Sequence, residues 1–216
     1  MPPPLTDTLP RWQAAFARCP LVAILRGLPT ADALDVGRTL VDAGFTLIEV
    51  PLNSPDPLAS IAALRAALPR EVLVGAGTVT TMAQLDALLA LDAELVVMPH
   101  TDAALVRRAV QAGRIALPGV LSPTEAFSAL AAGAPALKLF PAELASPAVC
   151  KALRAVLPPG TPMLPVGGVT PALLAPYRTA GAAGAGLGSQ LYTPGIALDE
   201  LARRAAAYRQ AWADAG

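Results

Sequence analysis

Residues 136–141 read Ala136-Leu137-Lys138-Leu139-Phe140-Pro141, a short apolar run with one charge at its centre. At a period of two, Ala136, Lys138 and Phe140 share one face, and Leu137 and Leu139 the other. Length and apolar flanks predict a buried strand. A charge in such a strand is costly unless it is paired or neutralised. The chain holds two lysines, Lys138 and Lys151, against fourteen arginines. Arginine stays protonated, whereas lysine becomes an amine nucleophile once its pKa falls. Two readings stand at this point. Lys138 forms a Schiff base with a carbonyl substrate, or it pairs with a carboxylate in the core.

Outward from that run, similar strands recur: LVAILRG (21–27), TLIEVPL (46–52), EVLVGAGT (71–78), ELVVMPH (94–100), RIALPGV (114–120), PMLPVGG (162–168) and AGAGLGS (183–189). Their near-continuous apolar character fits a parallel sheet covered by helices. The intervening segments 31–44, 81–93 and 102–113 have helical spacing, and the first and third end at a glycine suited to a C-cap. Asp102, Thr124 and Thr170 stand where N-caps are expected. Residues 5–18 read as an amphipathic opening helix. Eight strands with intervening helices make an α/β chain, a (β/α)8 TIM barrel with an extra N-terminal helix able to plug its bottom. An open doubly wound sheet is the other architecture, but no G-x-G-x-x-G follows the first strand. With no linker or low-complexity segment, residues 1–216 are expected to form one domain.

Composition narrows the function. Hydrophobic residues make up 54% of the 216 and charged residues 15%, with zero formal net charge. Nine aromatics and no basic block point away from nucleic acid. No apolar run reaches membrane-spanning length, and Met1-Pro2-Pro3-Pro4-Leu5 lacks the pattern of a signal peptide. A cytoplasmic protein is the default expectation. Cys19 and Cys150 form no metal or disulfide pattern, and a single histidine, His100, excludes a His-rich metal site.

In a barrel, chemistry gathers at the C-terminal strand ends. Those ends carry Arg26, Glu49, Asn53, Thr78, Pro99, Lys138, Gly167–Gly168 and Gly188–Ser189. Glu49 is a second charge within an apolar strand. It is either an ion-pair partner for Lys138 or Arg26, or a general acid/base whose pKa is raised by burial. Arg26 can hold a substrate carboxylate or make a rim salt bridge. Thr78 follows Gly75-Ala76-Gly77, glycines that let a ligand approach the backbone. Its hydroxyl can donate to the same carboxylate or cap the next helix. Gly167–Gly168 and Gly188–Ser189 end the last two strands, the common phosphate position in such barrels. His100 reads as a strand-end or surface residue, Cys150 as packing and Lys151 as solvated surface.

The segments AILRG (23–27), AGFTLIEVPLNSP (43–55), GAGTV (75–79), PG with TEAF (118–127), ALKLFPAE (136–143), VGGVTP (166–171) and GAGLGS (184–189) resemble, in order, the 2-keto-3-deoxy-6-phosphosugar acid aldolases. These are class I enzymes that release pyruvate and glyceraldehyde 3-phosphate. The resemblance implies Lys138 as the Schiff-base lysine and Glu49 as general acid/base. It implies Arg26 and Thr78 on the pyruvate-derived carboxylate, and Gly167, Gly168, Gly188 and Ser189 around the phosphate. It also implies a metal- and cofactor-independent homotrimer acting on a small phosphorylated keto-deoxy sugar acid. The gluconate branch of that family carries an arginine after the catalytic Glu and a threonine before the Gly-Gly pair. Here Asn53 and Val166 stand instead, and both look like the galactonate branch. A gluconate-type or 4-hydroxy-2-oxoglutarate aldolase, another phosphate-binding barrel enzyme such as an isomerase, and a non-catalytic phosphosugar-binding protein are the alternatives.

Overall fold

The computed structural model describes residues 8–216, so residues 5–7 of the expected opening helix and the Met1–Leu5 start lie outside the described residues. Helix α1 spans Thr8–Arg18 and β1 Leu21–Ile24. Helices and strands then alternate: α2 (Ala33–Asp42), β2 (Leu47–Pro51), α3 (Pro57–Ala67), β3 (Leu73–Gly77), α4 (Met82–Ala90), β4 (Leu95–Val97), α5 (Ala103–Gln111) and β5 (Ile115–Leu117). After β5 come β6 (Gly119–Val120), α6 (Pro123–Ala131), β7 (Leu137–Leu139), α7 (Pro147–Arg154), β8 (Met163–Pro165), α8 (Pro171–Thr179), β9 (Ala185–Leu187) and α9 (Leu198–Asp214).

The fifth expected strand is split into β5 and β6 at Pro118, which has no N–H to donate. All pairings are parallel. One sheet runs β5-β4-β3-β2-β1-β9 and the other β6-β7-β8. The two meet at the split strand, and again where Val166 bridges Gly186 in parallel. The result is a curled, barrel-like parallel sheet wrapped by helices.

Local chemistry explains the helix ends. Thr81 with Gln84, and Ser122 with Glu125, form reciprocal capping boxes at α4 and α6. The second corrects the expectation of Thr124, because Ser122 two residues earlier takes the N-cap. Asp102 caps α5 as expected, accepting from the N–H groups of Ala104 and Leu105. Thr170 holds the N-cap position of α8, but its side chain makes no capping hydrogen bond. Gly44 and Gly113 follow their helices at φ 89° and 71°, the left-handed stop that glycine permits.

The period of two sorts the strand residues. Leu47, Leu73, Leu95, Ile115, Ala136 and Leu164 form one buried cluster, joined by Trp12 and Ala15 of α1. Ile48, Val74, Val96, Ala116, Leu137 and Met163 belong to the other cluster, packed with helix residues such as Leu40, Ile61 and Leu85. The first cluster is therefore the sheet's inner face. Around α1, Thr46 Oγ1 donates to Ala15 O at 2.7 Å. Arg11 pairs with the buried Glu94, which also accepts from Arg65 at 2.6 Å. No helix among the described residues is long and apolar enough to cross a membrane.

Candidate active site

On β2, Leu47 belongs to the inner cluster, so Glu49 two residues on points inward as well. On β7 the same parity carries from Ala136 to Lys138. Glu49 is 1% exposed and Lys138 7%. Both border a cavity of about 510 Å³ that also reaches Arg26, Glu143, Val166, Gly167, Gly168, Gly188, Ser189 and Tyr192. Below them only about 10 Å³ remains open, too little for a ligand. The pair thus forms the floor of the cavity.

Burial dominates the electrostatics of this pair. It pushes the Glu49 carboxyl up to about 7, against the opposing charges of Lys138 and Arg26. Burial also pulls Lys138 below the ordinary lysine range, helped by Arg26 and opposed by Glu49. Both shifts favour the neutral forms. Glu49 Oε2 is buried without a hydrogen-bond partner among the described residues. Such an acceptor is unstable as a purely structural feature and is suited to a transient partner. Lys138 Nζ lies 4.5 Å from the centroid of the Phe140 ring, two residues along the same face.

The strand neighbours hold this arrangement. A methyl group built on Gly77 would stand 1.7 Å from Glu49 Oε2, and one on Gly75 would stand 1.9 Å from Leu95 O. Both glycines on β3 therefore make room for the chain's own atoms, which corrects the expectation that they admit a ligand. Arg26 lies beyond the end of β1, exposed, and Nη1 donates to Asn53 Oδ1 at 2.7 Å. One residue on, Gly27 N–H donates to Ser54 Oγ at 2.9 Å, so the loop after β2 fixes the loop after β1. Of the two readings of Arg26, the rim salt bridge is not formed among the described residues, where this amide contact stands instead.

Thr78 follows β3, half-buried at φ 59°, and does not line the cavity. Nor does it cap α4, since Thr81 does. Val166 is 8% exposed and lines the cavity beside Gly186. Gly167 and Gly168 turn the chain at φ 115° and 62°, values open to glycine. At Gly188 nothing lies within 4 Å of a built Cβ, and Ser189 beside it is exposed. The structure therefore brings Arg26, Glu49, Lys138, Val166 and both glycine turns to one cavity. His100 is exposed, Cys150 buried and Lys151 exposed. Glu143 and Tyr192, which line the same cavity, were not anticipated. Glu143 lay within the quoted ALKLFPAE segment, whereas nothing marked Tyr192.

Comparison with known proteins agrees with this geometry. The family model described as KDPG and KHG aldolase matches residues 13–205. The 2-dehydro-3-deoxy-6-phosphogalactonate aldolase of Escherichia coli K12 is 45% identical over 205 residues, covering 95% of this chain and 98% of the relative. A native KDPGal structure superposes with a TM-score of 0.90 at 46% identity, covering 92% and 96% of the two chains. The KDPG aldolase of Legionella pneumophila, solved with pyruvate captured as a covalent carbinolamine intermediate, superposes at 0.76 with 25% identity, covering 94% and 97%. With the family match spanning nearly the whole barrel-like sheet and its cavity, the chain belongs to the KDPG and KHG aldolase family.

Proposed function

We propose that this chain is a class I aldolase that cleaves 2-dehydro-3-deoxy-6-phosphogalactonate to pyruvate and glyceraldehyde 3-phosphate. The observation that carries the reading is the Glu49–Lys138 pair on the cavity floor, buried and held toward its neutral forms. A neutral amine is the nucleophile that imine formation requires. A carboxyl with a pKa of about 7 can both give and take a proton near neutrality.

On this reading Lys138 Nζ attacks the C2 ketone to give a carbinolamine. Glu49 delivers the proton with which the C2 hydroxyl leaves as water. The protonated imine accepts the electron pair of the C3–C4 bond as Glu49, now a carboxylate, takes the proton of the C4 hydroxyl. Glyceraldehyde 3-phosphate departs, and the pyruvate enamine remains on Lys138. Glu49 returns a proton to C3, and water hydrolyses the imine. Arg26, steadied by Asn53, holds the carboxylate, and Thr78 joins it on the strength of the family resemblance. Gly167, Gly168, Gly188 and Ser189 receive the phosphate. Binding there, far from the breaking bond, aligns the substrate for cleavage.

Preference for the galacto epimer rests on Val166 and Asn53, and the 45% identical E. coli aldolase of that name supports it. The same reading takes residues 1–216 as one domain, a closed (β/α)8 barrel. The Val166–Gly186 bridge supports closure, and the packing of Trp12 and Ala15 supports α1 as its floor. The chain is taken as a cytoplasmic homotrimer, the trimer on the strength of the family resemblance. The test is pyruvate release from the two C4-epimeric 6-phosphate substrates, side by side. Faster galacto turnover is expected. Faster gluco turnover would keep the aldolase and overturn the epimer assignment, and no pyruvate from either would overturn the aldolase.

A further inference from the structure

The turn between β7 and α7 places Glu143 against the two glycines after β8. A methyl group built on Gly167 would stand 2.1 Å from Glu143 Oε2, and one on Gly168 would stand 3.0 Å from Glu143 Cγ. The carboxylate therefore covers both positive-φ glycines. It makes no hydrogen bond or ion pair among the described residues, and Glu143 as a whole is exposed.

The backbone beneath it is pinned. Ala142 N–H donates to Val166 O at 2.9 Å, and Leu144 and Ala145 N–H both donate to Pro141 O. Tyr177 of α8 donates its hydroxyl toward Ala142 O at 3.1 Å and Ala145 O at 2.8 Å. The turn is tied to β8 on one side and α8 on the other. The Glu143 side chain extends from this held turn with no hydrogen bond of its own among the described residues.

We propose that Glu143 is a specificity-determining residue that stands beside the phosphate seat and weakens its hold on a dianion. The proposal rests on the reading of Gly167 and Gly168 as phosphate ligands. Its charge faces a dianion held at Gly167 and Gly168 across a few ångströms. The repulsion is greater for a dianion than for a neutral group, so Glu143 loosens the hold on the phosphate and the phosphorylated aldehyde product leaves more readily.

Inorganic phosphate is the probe, titrated calorimetrically into wild type, Glu143→Gln and Glu143→Ala, with substrate competition on each. Wild type should bind phosphate in competition with the phosphorylated substrate. A single charge facing a dianion in largely aqueous surroundings changes such an equilibrium about tenfold. Both variants should therefore bind phosphate about tenfold more tightly. Their preference for phosphorylated over non-phosphorylated substrate, taken as a ratio of kcat/KM, should rise by a similar factor. Equal or weaker phosphate binding in both variants would overturn the proposal and make Glu143 a support for its turn. A wild type that neither binds phosphate nor is inhibited by it would remove the phosphate seat itself, and that failure is visible before any variant is made.

Discussion

Gly77→Ala is a sharp perturbation of the site because it changes no reacting group. Gly77 lies in β3 with an ordinary strand φ, so alanine suits its backbone. The added Cβ would stand 1.7 Å from Glu49 Oε2, 2.4 Å from Cδ and 2.6 Å from Oε1. Real carbon contacts do not fall below 3.0 Å, so the carboxylate must retreat by more than an ångström. Such a misplacement of a catalytic group costs about 10²-fold in rate. Overpacking costs about 1–3 kcal/mol of stability, which a chain of this size survives. Pyruvate release followed by a coupled dehydrogenase should show kcat reduced about 10²-fold. Borohydride should still trap pyruvate on Lys138, because the amine is intact. A folded Gly77→Ala variant with kcat within about twofold of wild type would refute the reasoning that the Glu49 carboxylate works from the position Gly77 grants it.

Glu49 also makes a pH prediction. Its carboxyl is raised from 4.5 to about 7 by burial, so within that window the folded chain holds a proton the unfolded chain has released. Stability should therefore fall as pH rises through the window, by roughly 3 kcal/mol in all. Thermal melts of Glu49→Gln across the same range should lack that decline, and parallel profiles would remove the buried-carboxyl account. Glu94, 3% exposed between Arg11 and Arg65, should cost about 2–4 kcal/mol when changed to Ala, read as a lowered Tm with activity retained in the folded fraction. An unchanged Tm would show that the network under the inner face contributes nothing net. Val166→Thr adds a hydroxyl to the cavity wall and should move the gluco-to-galacto ratio of kcat/KM upward about tenfold. No movement of that ratio would place epimer choice elsewhere.

The barrel-like sheet was legible because each strand is a short apolar run and each helix has its own period and stop. In the structure, parity carries Lys138 and Glu49 to the same inner face. What escaped the sequence was mostly contact between distant segments. The glycines of Gly75-Ala76-Gly77 look like room for a ligand, yet the space belongs to Glu49 and to the carbonyl of Leu95. Arg26 reads as a carboxylate binder or a rim ion-pair residue, and its amide partner on the next loop had no mark in the sequence. Strand ends were drawn too long at Arg26 and Thr78, because apolar character does not mark where a ladder stops. The Ser122–Glu125 capping box was the exception. Its S-x-x-E spacing stands in the sequence, whereas the expected N-cap is Thr124. Glu143 gave no signal of its own, since an exposed glutamate in a turn is ordinary until the glycines facing it are known.

The central claim is a covalent bond between pyruvate carbon and Lys138. The chain has two lysines, so reduction by borohydride in the presence of pyruvate, followed by peptide mass mapping, reads the claim with little ambiguity. The account predicts one reduced adduct, on the peptide carrying Lys138, and none in Lys138→Ala, which should also have lost turnover. An adduct confined to Lys151, or turnover surviving in Lys138→Ala, would contradict it.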